Sequence, residues 1–180
     1  MLYTYELKIP KERVAVLIGK KGETKSKIEQ ETNVEIKIDS LEGDVFLNGD
    51  EAIGLFNARE VVKAIGRGFN PDIAMLLLKP DYMFESMKLS DFGTKAAENR
   101  LKGRVIGKEG KSRRIIEEMT ETFIAVYGKT ISIIGEVQNV ITAKKAVESL
   151  LAGSRHATIY KWLERKRREM KNTFLVPESI

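Results

Sequence analysis

The sequence predicts an α+β protein made of two tandem β-α-α-β-β-α units and a basic C-terminal helix. Each unit is expected to be a three-stranded antiparallel sheet packed by helices. Three observations carry this. Short alternating segments such as Tyr3-Thr4-Tyr5-Glu6-Leu7 read as half-buried strands. A glycine-bracketed turn between two helical stretches occurs twice, as Leu17-Ile18-Gly19-Lys20-Lys21-Gly22 and as Val105-Ile106-Gly107-Lys108-Glu109-Gly110. The copies also keep register: Gly19 and Gly107, Gly22 and Gly110, Ile28 and Ile116, Thr32 and Thr120, Ile36 and Ile124 are each 88 positions apart. The offset becomes 86 at Gly49 and Gly135 and at Val61 and Val147, a loss of two residues in one loop.

Taken in order, the first strand runs from Tyr3 to Ile9 and stops at Pro10. Lys11 to Ile18 is a short helix with Val14, Leu17 and Ile18 inward; after the glycine turn, Glu23 to Thr32 is a second helix anchored by Ile28. Val34, Ile36 and Ile38 alternate with Glu35 and Lys37 in a second strand, and Val45 to Asn48 is the third. Asp50 is placed as the cap of a helix from Glu51 to Ile65, with Ala52, Leu55, Phe56, Val62 and Ile65 on its inner face. Residues 1–68 form the first domain. Residues 69–81 form a helical connector in which Asn70 caps, Pro71 takes the first helical position and Pro80 ends the run. Residues 82–180 repeat the plan: strand Tyr82–Leu89, helices Thr94–Ile106 and Lys111–Thr120, strands Phe123–Tyr127 and Thr130–Ile134, and a helix Glu136–Leu151. A basic terminal helix then closes the domain.

Composition narrows the function. The chain has no cysteine and one histidine, His156, which leaves no basis for thiol chemistry, a zinc site or a Ser/His/Asp arrangement. No apolar run approaches the ~20 residues of a membrane span, and the start does not read as a signal peptide. The expectation is a soluble, cytoplasmic binding protein, not an enzyme, without cofactor or metal and with no membrane partner. The net charge is +5, and Arg155 to Lys171 alone holds seven Lys/Arg against two Asp/Glu. A polyanion surface is therefore local. Gly110-Lys111-Ser112 has the ending of a P-loop, but the glycine required five residues earlier is Val105, so that reading fails.

The two halves resemble type I KH domains. The pattern is an apolar pair, G-x-x-G, isoleucine six residues on, threonine ten on, then an alternating strand; LIGKKGETKSKIEQETNVEIKI and VIGKEGKSRRIIEEMTETFIAV both fit. Each departs at one place, where the usual apolar residue is Lys25 or Arg113. With the connector RGFNPDIAMLL and the ending GSRHATIYKWLERKRR, the whole chain resembles the archaeal branch of the partner-of-Nob-One family. The resemblance implies single-stranded RNA binding in the 3′-end region of small-subunit rRNA during ribosome assembly. Its implied partners are a processing endonuclease and a translation initiation factor subunit. Eukaryotic members of the family have a degraded first GxxG, whereas Gly19 and Gly22 are both present here.

The candidate site follows from a KH groove that clamps about four nucleotides by their backbone. In the first copy it comprises Ile18, Gly19, Lys20, Lys21, Gly22, Lys25, Ile28 and Ile36. In the second it comprises Arg104, Ile106, Gly107, Lys108, Glu109, Gly110, Lys111, Arg113, Arg114, Ile116 and Ile124. The isoleucines are read as a groove floor, as core, or as both. Arg165, Lys166, Arg167 and Arg168 are either further phosphate contacts or a solvated face. His156 is read as structural, and Tyr160 and Trp162 as packing anchors of the last helix. The rival reading is a protein-interaction adaptor that uses the same folds as docking surfaces.

Overall fold

The structure, a computed structural model, describes residues 2–173 and divides into two compact units, residues 1–84 and 85–180. In the N-terminal unit, strand β1 (Tyr3–Lys8) leads into helix α1 (Lys11–Ile18), a one-turn 3₁₀ segment (Lys20–Gly22) and helix α2 (Glu23–Thr32). Strands β2 (Glu35–Asp39) and β3 (Asp44–Gly49) and helix α3 (Ala52–Gly66) complete it. The sheet order is β1-β3-β2, antiparallel throughout, with Leu7 opposite Val45 and Ile36 opposite Leu47. Because side chains alternate across a strand, this register puts Val45, Leu47 and Ile36 on the face beneath the helices. There they join Leu17, Ile28, Val61 and Ile65 in a core that is 0–1% exposed.

Two expectations for α3 are corrected. Its N-cap is Glu51, with no side-chain hydrogen bond, so Asp50 does not cap it. Its buried face is Gly54, Ala58, Val61, Val62 and Ile65, while Ala52 is exposed and Phe56 is 55% exposed. The rotation is set by Gly54, where any Cβ would run into the Thr32 carbonyl. Close approach at that glycine turns Phe56 outward, where the Arg59 guanidinium lies 4.8 Å from its ring and 5.2 Å from that of Tyr5. The expected cap at Asn70 is present. The Asn70 side chain accepts from the Ile73 amide at 3.1 Å, starting a short helix α4 (Pro71–Ala74) that runs into a 3₁₀ turn (Met75–Leu78). Both pieces pack on α3.

Strand β4 (Tyr82–Lys88) runs into the C-terminal unit and is followed by helix α5 (Glu98–Ile106), a 3₁₀ turn (Lys108–Gly110) and helix α6 (Lys111–Thr120). Strands β5 (Phe123–Tyr127) and β6 (Thr130–Glu136) and helices α7 (Val137–Leu151) and α8 (His156–Thr173) follow. The expected helix from Thr94 is broken: Lys95–Ala97 is 3₁₀ and α5 begins only at Glu98. The sheet order is β4-β6-β5. Val105, Ile116, Ile124, Ile131, Ile133 and Leu150 form the core, all at most 4% exposed. The duplicated threonines end their helices alike. Thr32 and Thr120 donate to the carbonyls of Ile28 and Ile116 at 2.7 Å, and the next residues, Asn33 and Glu121, turn left-handed. Among the described residues no helix is long and apolar enough to cross a membrane, and no group of three acidic, histidine or cysteine side chains could hold a metal.

Candidate nucleic-acid interface

The glycine-bracketed turns superimpose in conformation as well as in sequence. Gly19 and Gly107 have φ of 74° and 72°, and Lys21 and Glu109 are left-handed at 53° and 55°. Gly22 and Gly110 follow at 78° and 75°. In each turn the second glycine is the N-cap of the next helix, and no side chain caps it. The first N–H of each helix, that of Glu23 or Lys111, donates back to the Lys20 or Lys108 carbonyl, and no side chain caps the N–H groups that follow at the positive end of the helix dipole. The two glycines serve different needs. A Cβ on Gly107 would lie 2.6 Å from Ser112 Cβ and 2.7 Å from its amide, whereas one on Gly110 would meet nothing within 4 Å. The first glycine permits close approach of the turn to the following helix; the second only permits positive φ.

Charge around the turns sorts into free and committed cations. Lys20, Lys21, Lys108 and Lys111 are exposed and form no ion pair with a carboxylate among the described residues. Arg114 donates to the Glu109 carbonyl at 3.3 Å and braces the second turn. Lys25 and Arg113, the cations at the apolar position of the pattern, face Glu29 at 3.3 Å and Glu117 at 3.9 Å one helical turn on. In the sequence Ser112 stands out only as part of the rejected P-loop ending. It is 2% exposed beneath Gly107, and its Oγ is the one buried side-chain polar atom without a hydrogen-bond partner among the described residues. The sequence signal that could have found it is its alignment with Thr24 of the first copy, 88 positions earlier.

Several predicted site residues stand elsewhere. Ile28, Ile36 and Ile116 are 0–1% exposed and Ile124 is 4%, so they are core and present no open floor. Ile18 and Ile106, beside the turns, keep partial exposure. Arg104 is a structural clamp. Its guanidinium donates to the Leu150 carbonyl at 2.7 Å and the Ser154 carbonyl at 2.5 Å, at the end of α7, and its own carbonyl contacts His156 Nε2 at 2.7 Å. The first copy achieves the same clamp from another position: Arg13 donates to Ile65 at 2.8 Å and Phe69 at 2.7 Å. A cation is favourable at a helix C-terminus because the last carbonyls lack partners. Replacing Arg104 with methionine keeps the bulk and removes the side-chain donor from the Ser154 carbonyl, while the Leu150 carbonyl keeps the Gly153 amide at 3.1 Å. The expected loss is about 1–3 kcal/mol of stability in the C-terminal unit, with no change in the salt dependence of RNA binding. Chemical denaturation and an RNA titration of the same variant check both halves of that statement.

Helix α8 packs on α6 and α7 through Ile159 and Leu163, at 6% and 1% exposure. These two, not the half-buried Tyr160 and Trp162, are its anchors. His156 lies edge-on to Tyr160, with ring centroids 6.1 Å apart. Of the four predicted phosphate contacts, Lys166 pairs with Glu169 at 2.9 Å and Arg168 reaches Glu164 at 4.0 Å. The hydrogen bond from Lys166 lowers the Glu169 pKa. Arg165 and Arg167 are exposed and pair with no carboxylate among the described residues. Arg167 also lines a cleft of about 210 Å³ with Met119, Leu163, Lys166, Met170 and Lys171, at the C-terminal end of α6. The glycine turn sits at the other end of α6, so turn and cleft are about 15 Å apart along that ten-residue helix.

Residues 4–66 match the KH domain family, and residues 83–168 match the family described as eukaryotic type KH-domain (KH-domain type I). The KH domain-containing protein MJ0443 of Methanocaldococcus jannaschii is 49% identical over 170 residues, covering 92% of this chain and 74% of that protein. The crystal structure of Dim2p from Pyrococcus horikoshii OT3 is 44% identical, has a TM-score of 0.85, and covers 91% of this chain and 99% of its own. The chain belongs to the Dim2p/PNO1 family of KH proteins. A second family structure, the a/eIF2alpha–aDim2p–rRNA complex of Pyrococcus horikoshii OT3, has a TM-score of 0.88 at 42% identity and covers 93% and 96% of the two chains. Among eukaryotic members, RNA-binding protein PNO1 of Oryzias latipes is 34% identical over 131 residues, 71% of this chain and 51% of that one. This family member therefore spans about half the length of the eukaryotic PNO1 relatives it matches.

Proposed function

We propose that this Dim2p/PNO1 family member binds single-stranded RNA through both of its GxxG turns, on the 3′-end region of small-subunit rRNA during assembly of that subunit. Residues 1–68 and 82–180 are the two binding units and 69–81 the connector. One observation supports this above the rest: a duplicated turn with matching left-handed backbone, an uncapped helix N-terminus behind it and lysines without carboxylate partners beside it. A phosphate there accepts from backbone N–H groups and neutralises lysine charge at once. The similar protein of Pyrococcus horikoshii was crystallised with a/eIF2alpha and rRNA, and fungal relatives are named pre-rRNA-processing proteins. By that likeness an initiation factor subunit is the protein partner to look for, and the family resemblance adds a processing endonuclease.

The test is a titration of fluorescent single-stranded RNA spanning the rRNA 3′ end, against the same sequence as a duplex. Affinity should fall with salt at a log–log slope of about −0.7 for each phosphate engaged. Binding insensitive to salt, or equal for duplex, would favour an adaptor role instead. Helix α8 enters as a further prediction. Its truncation would expose the core around Ile159 and Leu163, so the informative change is Arg165→Gln with Arg167→Gln. If both contact phosphate, the slope becomes shallower by about 1.4 with the fold intact. An unchanged slope assigns α8 to packing alone.

A further inference from the structure

A carboxylate recurs in both units where helix meets edge strand, and phosphate clamping does not use it. Glu29 on α2 accepts the backbone N–H of Ile36 at 2.7 Å, and Glu117 on α6 accepts that of Ile124 at 2.7 Å. Strands β2 and β5 are the last strands of their sheets, paired on one side only. Since these amides bond to a helix side chain, they point away from the sheet, along its open edge. Both carboxylates are 25% exposed, so a ligand can reach them. The cations of the altered pattern, Lys25 and Arg113, sit one turn away and hold them. The outward strand donor is thus occupied. What the cleft presents at that point is an acceptor.

Resting on the RNA-binding reading above, we infer that Glu29 and Glu117 are specificity-determining residues that select cytosine over uracil at one position in each cleft. The N4 amine of cytosine donates to a carboxylate, whereas O4 of uracil sets acceptor against acceptor. The bases are nearly the same size, so a carboxylate facing the C4 substituent decides between them, whereas one at N3 would accept from uracil instead. The two clefts differ in degree. In the first, Glu29 Oε1 takes both the Ile36 amide and Lys25, leaving Oε2 without a partner among the described residues. In the second, Glu117 Oε2 faces Arg113. The N-terminal cleft is the stronger discriminator.

The test is competition between oligocytidine and oligouridine of equal length for the full chain and for Glu29→Gln and Glu117→Gln. Glutamine keeps an oxygen for the strand amide and turns a donor toward the base. The parent should favour oligocytidine about tenfold, and Glu29→Gln should abolish or reverse that ranking, with Glu117→Gln doing so more weakly. Glu29→Ala, which frees the Ile36 amide for uracil O4, should shift the ranking in the same direction and serves if the glutamine variant does not fold. A ranking unchanged in the variants, or a parent that binds both oligomers equally, overturns the inference and leaves RNA binding standing. A parent that binds neither oligomer nor the rRNA probe removes both.

Discussion

Replacing Lys108 and Glu109 together with aspartate is expected to lower the affinity of the C-terminal unit for single-stranded RNA by about tenfold to a hundredfold, with the fold unchanged. Both positions are exposed, so no core contact is lost. Glu109 lies at φ 55°, a region that aspartate tolerates better than most side chains, so the turn keeps its conformation. What changes is the charge at the mouth of the helix. One cation disappears and a carboxylate replaces it, beside the turn and the N-terminus of α6 where a phosphate would bind. The matching change in the first copy, Lys20 and Lys21 to aspartate, replaces two cations and has no native carboxylate to start from. It should therefore weaken the N-terminal unit at least as much. If both turns engage one strand, tethering gains about a hundredfold or more, and each pair of substitutions alone should lose most of that gain. Equal affinity of parent and folded variants in a polarisation titration would remove the turns from the binding mechanism.

A larger effect on folding is expected from Gly107→Ala. The new Cβ would sit 2.6 Å from Ser112 Cβ with φ at 72°, so steric overlap adds to left-handed strain. About 2–4 kcal/mol of stability should be lost, against about 1 kcal/mol for Gly110→Ala, where φ is 75° but the space is open. The contrast isolates overlap from backbone strain, because the two glycines share a turn and nearly share a φ. The check is chemical denaturation of both variants, with hydrogen exchange at the amides of α6 to confirm where protection falls. A loss of the same size in the two variants would mean that the close packing of Gly107 on Ser112 carries no weight. RNA binding should suffer in Gly107→Ala for a separate reason: the turn cannot stay against α6 and its donors no longer converge.

The departures from expectation share a cause. The predicted inner face of α3 included Phe56 because apolar spacing alone cannot weigh a glycine; Gly54 against the Thr32 carbonyl rotates the helix and leaves Phe56 outside. Arg104 reads as a groove cation because it neighbours the turn, yet its guanidinium points to the end of α7, nearly fifty residues on in sequence. Lys25 and Arg113 break the family pattern in the sequence, and only the folded chain shows why the break is shared. Each faces a carboxylate one turn on that is already tied to the edge strand.

Repeat, element order and both turns were legible in the linear chain, because periodicity and paired glycines are local properties that backbone stereochemistry enforces residue by residue. The register of 88 extended that reading to the core isoleucines. Which cations remain free for a phosphate, which isoleucines stay covered, and which carboxylate guards each edge strand depend on contacts between segments far apart in sequence. Those distances are set by how helices seat on a sheet, and only the tertiary structure decides them.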